Sequence, residues 1–383
     1  MPYDFDKIIE RRGTDSVKWA GYGEDVLPMW VADMDFASPE PVIRALQERV
    51  EHGVFGYSFP PRELKEVIVA WLKERHGWAV TQDAIVFTPG VVTSFTLAAR
   101  AFVAAGEGLV TQTPVYPPIL HAAETSGVHS QSMELTRGAD GRYTIDFDRF
   151  DATLTERSRM FLLCNPHNPV GRVFTPDELE HMAERCLARD MVICSDEIHG
   201  DLLLDGHRHR PIAALAPEIA ARTITLMAPS KTFNIAGLYC SFAVIPDAKL
   251  RQRFKAATAG LFHGANVLGY VAALAAYRDG QPWLDAMLAY LETNRDVAAR
   301  FVRERLPGVT MSPIEGTYLA WLDCRQAALI GNPHTVFLKR GRVALNDGAH
   351  FGPGGEGFAR LNFGCPRALL LEGLERMALA LTI

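Results

Sequence analysis

The chain has 383 residues, 48% of them hydrophobic and 22% charged, a balance that excludes wholesale disorder and supplies enough apolar material for a large core. This length favours two domains, or one large domain with an appendage. A formal charge of −6 without a long basic run argues against nucleic acid or an anionic membrane as the main partner, and no apolar stretch approaches the roughly twenty residues that span a bilayer.

From the N-terminus, Met1 to Asp6 is polar and acidic, unlike a secretory leader. Helices are expected over Pro41 to His52 and Arg62 to His76. Apolar strand-like runs then alternate with amphipathic stretches, as in a mostly parallel sheet covered by helices. The strands are placed at Ala84 to Thr88, Gly108 to Gln112, Met160 to Cys164, Met191 to Ser195, Thr223 to Met227 and Ser241 to Ile245. Between them, helices are placed at Val92 to Ala104 and Pro176 to Ala188. The second starts on Thr175-Pro176-Asp177-Glu178, with Thr as N-cap, Pro at the first helical position and acids in the first turn.

After about residue 280 the texture changes to a long helix, Trp283 to Arg305, then short strands around Thr317 to Asp323 and Arg360 to Phe363, and a closing helix. The expected organisation is an N-terminal segment, 1–40, contributing to the small domain and to the ligand site; a large α/β domain, 41–280; and a small α+β domain, 281–383. Cys164, Cys186, Cys194, Cys240, Cys324 and Cys365 lack paired metal-ligand spacing and sit mostly in apolar runs, so they read as reduced, packed thiols of a cytoplasmic protein.

Ligands of open α/β sheets bind beyond the carboxyl ends of the strands, and Asn168, Asp196 and Lys231 each fall at such an end. Their contexts are Asn165-Pro166-His167-Asn168-Pro169-Val170-Gly171, Ser195-Asp196-Glu197-Ile198-His199 and Ser230-Lys231-Thr232. As a set these closely resemble the fold-type I family of pyridoxal phosphate enzymes, over nearly the whole chain. Within it, Met29-Trp30-Val31-Ala32-Asp33-Met34-Asp35-Phe36 and Arg360-Leu361-Asn362-Phe363-Gly364-Cys365-Pro366-Arg367 resemble the cystathionine β-lyase, or MalY/PatB-type carbon-sulfur lyase, branch.

The resemblance implies a large domain with a mostly parallel, seven-stranded type of sheet, and a role for each residue. Lys231 would condense with the cofactor aldehyde and then serve as general base. Asp196 would hold the pyridine nitrogen protonated, so that charge arriving from the substrate Cα delocalises into the ring. Asn168, also a turn former between two prolines, would donate to the ring's phenolate oxygen. Tyr116 would stack on the ring, and His199 would be its packing or hydrogen-bonding neighbour. Gly90, Val91 and Val92, between a strand and a helix, would offer backbone amides to the phosphate, with Ser230 adding a hydroxyl. Tyr57 would reach the phosphate from a second subunit, making a homodimer part of the site. Arg360 would grip the substrate α-carboxylate through its planar fork. The implied reaction is β-elimination from a small amino-acid thioether such as cystathionine; no metal is called for.

Many transaminases of this fold carry tyrosine and arginine where this chain has His199 and Tyr239. That difference favours the lyase over the aminotransferase alternative. A ligand-sensing regulator would need a basic recognition helix, and none is evident. His199-Gly200-Asp201 with His207 and His209 superficially suits an iron triad, but the run His207-Arg208-His209-Arg210 reads more simply as a solvated loop. Gly352 to Gly357 does not follow a strand and open a helix as a dinucleotide loop does, and is expected to be mobile or to face substrate.

Overall fold

The structure is a computed structural model describing residues 3–382. Met1 and Pro2 of the acidic N-terminal stretch, and Ile383, lie outside the described residues. Seven strands form the central sheet: β1 (Ile85–Thr88), β2 (Gly108–Thr113), β3 (His129–Glu134), β4 (Ser158–Cys164), β5 (Val192–Asp196), β6 (Thr223–Met227) and β7 (Ser241–Val244). Their order is β1-β7-β6-β5-β4-β2-β3. Only β7 runs against its neighbours, antiparallel to both β1 and β6, so the other strands all finish at one edge. The mostly parallel sheet expected from the sequence is present, with ends within two residues of those expected for most strands.

Both faces of this sheet are covered, which is why its strands read as continuous apolar runs rather than alternating ones. Along β4, Met160, Leu162 and Cys164 pack with Phe95 and Ala98 of the helix Val91–Phe102 on one side, whereas Phe161 and Leu163 pack with Leu179 and Met182 of the helix Pro176–Leu187 on the other. Burying each such side chain is worth about 1.5–3 kcal/mol. The exception is β3, the polar edge strand His129-Ser130-Gln131-Ser132-Met133-Glu134, of which only Gln131 and Met133 are buried. No apolar run announces it.

The helices that matter for the site are α1 (Glu40–Glu51), α2 (Arg62–His76), α3 (Val91–Phe102), α4 (Pro176–Leu187), α5 (Pro229–Thr232), α6 (Ala248–Thr258), α7 (Val267–Asp279), α8 (Gln281–Arg305) and α9 (Arg367–Thr382). Thr175 caps α4 in a reciprocal capping box: its hydroxyl accepts from the Glu178 amide at 3.2 Å, and the Glu178 carboxylate accepts from the Thr175 amide at 2.8 Å. A second, antiparallel sheet follows α8, in the order β8 (Thr310–Met311), β9 (Leu319–Asp323), β11 (Phe358–Asn362), β10 (Asn346–Asp347). The N-terminal segment joins it: Leu27–Pro28 pairs in parallel with Val343–Ala344, and the Asn362 amide donates to the Met29 carbonyl at 2.9 Å.

Two expectations change. His209 is not in a solvated loop: it is buried, with Nε2 2.7 Å from Glu197 Oε2, because burying that carboxylate requires a partner. The loop 352–357 does not line the main cavity; with Arg325 and Ala349 it lines a recess of its own. No helix among the described residues is long and apolar enough to cross a membrane, and all six cysteines are buried and unpaired.

Candidate active site

Because β1, β4, β5 and β6 end at the same edge, the segments leaving them meet in space. Asn168 lies in the turn after β4, Asp196 is the last residue of β5, Lys231 sits in α5 just beyond β6, and Gly90 caps α3 just beyond β1. These residues line one cavity of about 710 Å³, together with Val91, Val92, Tyr116, His199, Ser230 and Arg360. Tyr57 is not among them; it is fully exposed on this chain, in an apolar stretch with Val54, Phe55 and Phe59.

The floor of the cavity is electrostatically unsettled. Asp196 is buried, and one of its oxygens accepts the Ile198 amide at 3.2 Å; no donor among the described residues takes the other. Burial, with the neighbouring Glu197 carboxylate, pushes its pKa up to about 7, although the Ile198 amide and Lys231 oppose this. Lys231 Nζ donates to the Ala32 carbonyl at 2.6 Å. Burial and the Arg360 cation bring its pKa down to about 8, against the pull of Asp33 and Asp196. Burial, Lys231 and Arg360 depress His199 to about 3, so its imidazole is neutral, and its Nδ1 has no partner among the described residues. Burial also raises the Tyr116 phenol, opposed by Arg360.

The opposite wall is built from residues far away in sequence. Arg360, on β11, is buried; Nη1 donates to Asn168 Oδ1 at 2.8 Å, and Nη2 donates to the Trp30 carbonyl at 3.0 Å and Asn346 Oδ1 at 2.5 Å. Its guanidinium lies over the Phe351 ring, 4.9 Å from the centroid, and burial lowers its pKa to about 10, leaving it charged. Five successive carbonyls, Trp30 to Met34, accept side-chain donors. After Arg360 on Trp30 these are Asn362 on Val31, Asn362 and Lys18 on Asp33, Lys231 and Tyr318 on Ala32, and Asn234 and Arg11 on Met34. Behind this segment, Arg11 pairs with Asp33 at 2.9 Å and Asp35 at 2.6 Å, and the buried Lys18 pairs with Asp35 at 2.6 Å.

The cavity also takes in Trp30, Val31, Ala32, Cys240, Ser241 and Asn346, which sequence reading did not assign to the site, and Tyr239, noted there only as a departure. Ser241 begins β7, next to Thr88 at the end of β1, and Asn346 pairs in register with Arg360. An alignment of the strands in space would have found them; no local pattern marks them.

These features fit the cofactor that the sequence resemblance implies. The oxygen of Asp196 without a donor suits a protonated ring nitrogen. Helix α3 has no side-chain cap, so its first amides, at Val91, Val92 and Thr93, face the cavity as an anion site for a phosphate. Because Asn168 uses Oδ1 to accept from Arg360, its amide NH₂ remains available to donate to a ring oxygen. Arg360 Nε has no partner among the described residues, which leaves an N–H for a carboxylate.

The aminotransferase class I and II family profile matches residues 24–377, and the chain belongs to that family. It is 45% identical to cystathionine beta-lyase PatB of Bacillus subtilis, covering 99% of this chain and 100% of that one, and 34% identical to protein MalY of Escherichia coli, covering 97% of each. The crystal structure of cystalysin from Treponema denticola, which contains a pyridoxal 5'-phosphate cofactor, superimposes with a TM-score of 0.95 at 35% identity, over 100% of this chain and 99% of that one. The architecture is that of fold-type I enzymes.

Proposed function

We propose that the protein is a pyridoxal phosphate-dependent carbon-sulfur β-lyase, which cleaves cystathionine or a related cysteine thioether with water to a thiol, pyruvate and ammonia. The observation that carries this reading is the joint placement of Asp196, Lys231 and Arg360 on one cavity, in a chain closely similar to a protein named cystathionine beta-lyase. Lys231, Asp196, Asn168, Tyr116, His199, Ser230 and the α3 amides from Gly90 to Val92 would hold the cofactor. Once bound, pyridoxal phosphate supplies an electron sink for the pair left on Cα when its proton departs.

The chain supplies the rest. Arg360 takes the substrate carboxylate and fixes which Cα bond faces Lys231, an orientation effect worth several orders of magnitude in rate. A lysine brought down to about 8 is a competent base near neutral pH, and its Nζ removes the Cα proton. Asp196 stays anionic opposite a cationic ring nitrogen. Neutral His199 adds a hydrogen-bonding group without adding charge. The thiol then leaves from Cβ.

The exposed apolar stretch from Val50 through Phe59 supports a homodimer, with Tyr57 of each subunit reaching the site of the other. The separate antiparallel sheet after α8 supports treating 41–280 and 281–383 as two domains with 1–40 contributing to the second. Six unpaired thiols accord with action in the cytoplasm. The test is to incubate the purified enzyme with cystathionine, with and without a keto-acid acceptor. Homocysteine and pyruvate are expected in both cases; keto-acid-dependent amino transfer without thiol release would make it an aminotransferase.

A further inference from the structure

Directly beside Lys231 lies a buried polar cluster that the reaction does not use. Thr232 Oγ1 donates to Asp201 Oδ2 at 2.9 Å, and both side chains are buried. The other oxygen, Oδ1, accepts from Trp71 Nε1 at 3.1 Å and lies 2.8 Å from Arg75 Nε and 3.1 Å from His76 Nε2. Arg75 also donates to the Asp201 carbonyl at 2.9 Å. Trp71, Arg75 and His76 all come from the end of α2, so one carboxylate ties that helix to the short helix carrying the lysine.

This tie matters because α5 has little rigidity of its own. It has four residues and no side-chain cap, and a helix of one turn is not stable in isolation. The lysine side chain has four rotatable bonds, so its reactive nitrogen is no better placed than the backbone beneath it. A buried carboxylate is costly unless it is paired, and this one is surrounded by donors. Burial alone would raise the Asp201 pKa; the His76 ring at 3.1 Å, the charge of Arg75 and the Thr232 hydroxyl outweigh it and hold the group at about 2. The carboxylate is therefore a permanent acceptor for Thr232.

We infer that Asp201, acting through Thr232, is a positioning residue for Lys231: it fixes the backbone turn from which the lysine reaches the cofactor and the substrate Cα. The inference rests on the reading that Lys231 carries the cofactor. Thr232→Val removes the hydroxyl with almost no change of shape, and Thr232→Ser keeps it. Each apoenzyme is exposed to pyridoxal phosphate for a short fixed time and reduced with borohydride, and the label on Lys231 is read by mass spectrometry; kcat, KM and Tm are measured beside it.

For Thr232→Val, capture on Lys231 should slow about tenfold and kcat fall about 10- to 100-fold, with KM within about threefold. Thr232→Ser should restore both. A purely structural role would instead lower Tm and active fraction together and leave the capture rate of the folded fraction unchanged. A stable valine variant that labels and turns over like the wild type, or a serine variant as slow as valine, overturns the inference. If valine does not fold, Thr232→Ala provides the same comparison with the same two outcomes. Wild-type protein that takes no label on Lys231 refutes the cofactor reading, and the inference falls with it.

Discussion

The floor and the wall of the cavity are built on opposite plans. The floor, at the ends of β4, β5 and β6, presents side chains that the described residues leave incompletely satisfied: an Asp196 oxygen that none of them donates to, and a lysine that donates to a single carbonyl among them. The wall, from Trp30 to Met34 with Arg360, has carbonyl after carbonyl already engaged. Chemistry needs groups in reserve, whereas substrate alignment needs groups that do not move. The difference teaches which substitutions should stop turnover and which should only misplace the substrate.

Removing Lys231 tests the floor most severely. Lys231→Ala should lower kcat/KM by about 10³- to 10⁴-fold and abolish borohydride-fixed cofactor at this position, measured by β-elimination assay and mass spectrometry. Asp196→Asn should follow, with kcat down about 10²- to 10³-fold and the fold retained by circular dichroism, since an amide cannot hold a ring nitrogen cationic. If kcat barely changes, Asp196 is structural and the contrast loses its floor.

On the wall, Arg360→Ala should cost about 10²-fold in kcat/KM while cofactor uptake, followed by absorbance, is largely spared. Asn346→Ala leaves the cation in place and removes one acceptor from it, so KM should rise by only about fivefold. Equal losses of cofactor uptake and substrate binding in these two variants would show that wall and floor are one unit.

The smallest effect concerns pH. Asp196 is an acid whose folded pKa, about 7, lies above the ordinary value of 3.8, so between these limits the folded apoprotein binds more protons than the unfolded chain. Its contribution therefore makes apoprotein stability fall as pH rises from about 4 to 7. Relative to Asp196→Asn, the wild-type apoprotein should lose a few degrees of Tm across this range, and less when pyridoxal phosphate is present; His199, held neutral by burial, acts in the opposite sense in both proteins and cancels in the difference. Arg360, at about 10, stays charged throughout and contributes nothing in that window.

The same contrast explains what could be read from the sequence. Asn168, Asp196 and Lys231 each follow an apolar run by a few residues, so strand and site are announced together. The wall has no such announcement, because backbone carbonyls have no letter in the sequence. Arg360 was found through resemblance, but Asn346 and the carbonyls of Trp30 and Ala32 needed the fold. Strand β3 carries no signal because edge strands need not be apolar. His207-Arg208-His209-Arg210 has the composition of a solvent-exposed run, and only the fold puts the Glu197 carboxylate against His209. Asp201 suits a metal triad only superficially in the sequence, and nothing there marks its partners, Trp71, Arg75 and His76, which lie on a helix more than a hundred residues earlier.

The run of carbonyls from Trp30 to Met34 also has a genetic consequence. Every amino acid carries a carbonyl, so a point mutation there changes the side chain and leaves the acceptor in place. A one-codon deletion between Leu27, which is paired with Val343, and Asp35, whose amide donates to Gly364, would slide each acceptor past its donor. In a library covering this stretch, substitutions at the half-buried Val31 and Ala32 should survive selection more often than single-residue length changes, whereas the paired Asp33 and Asp35 and the buried Met34 should tolerate neither.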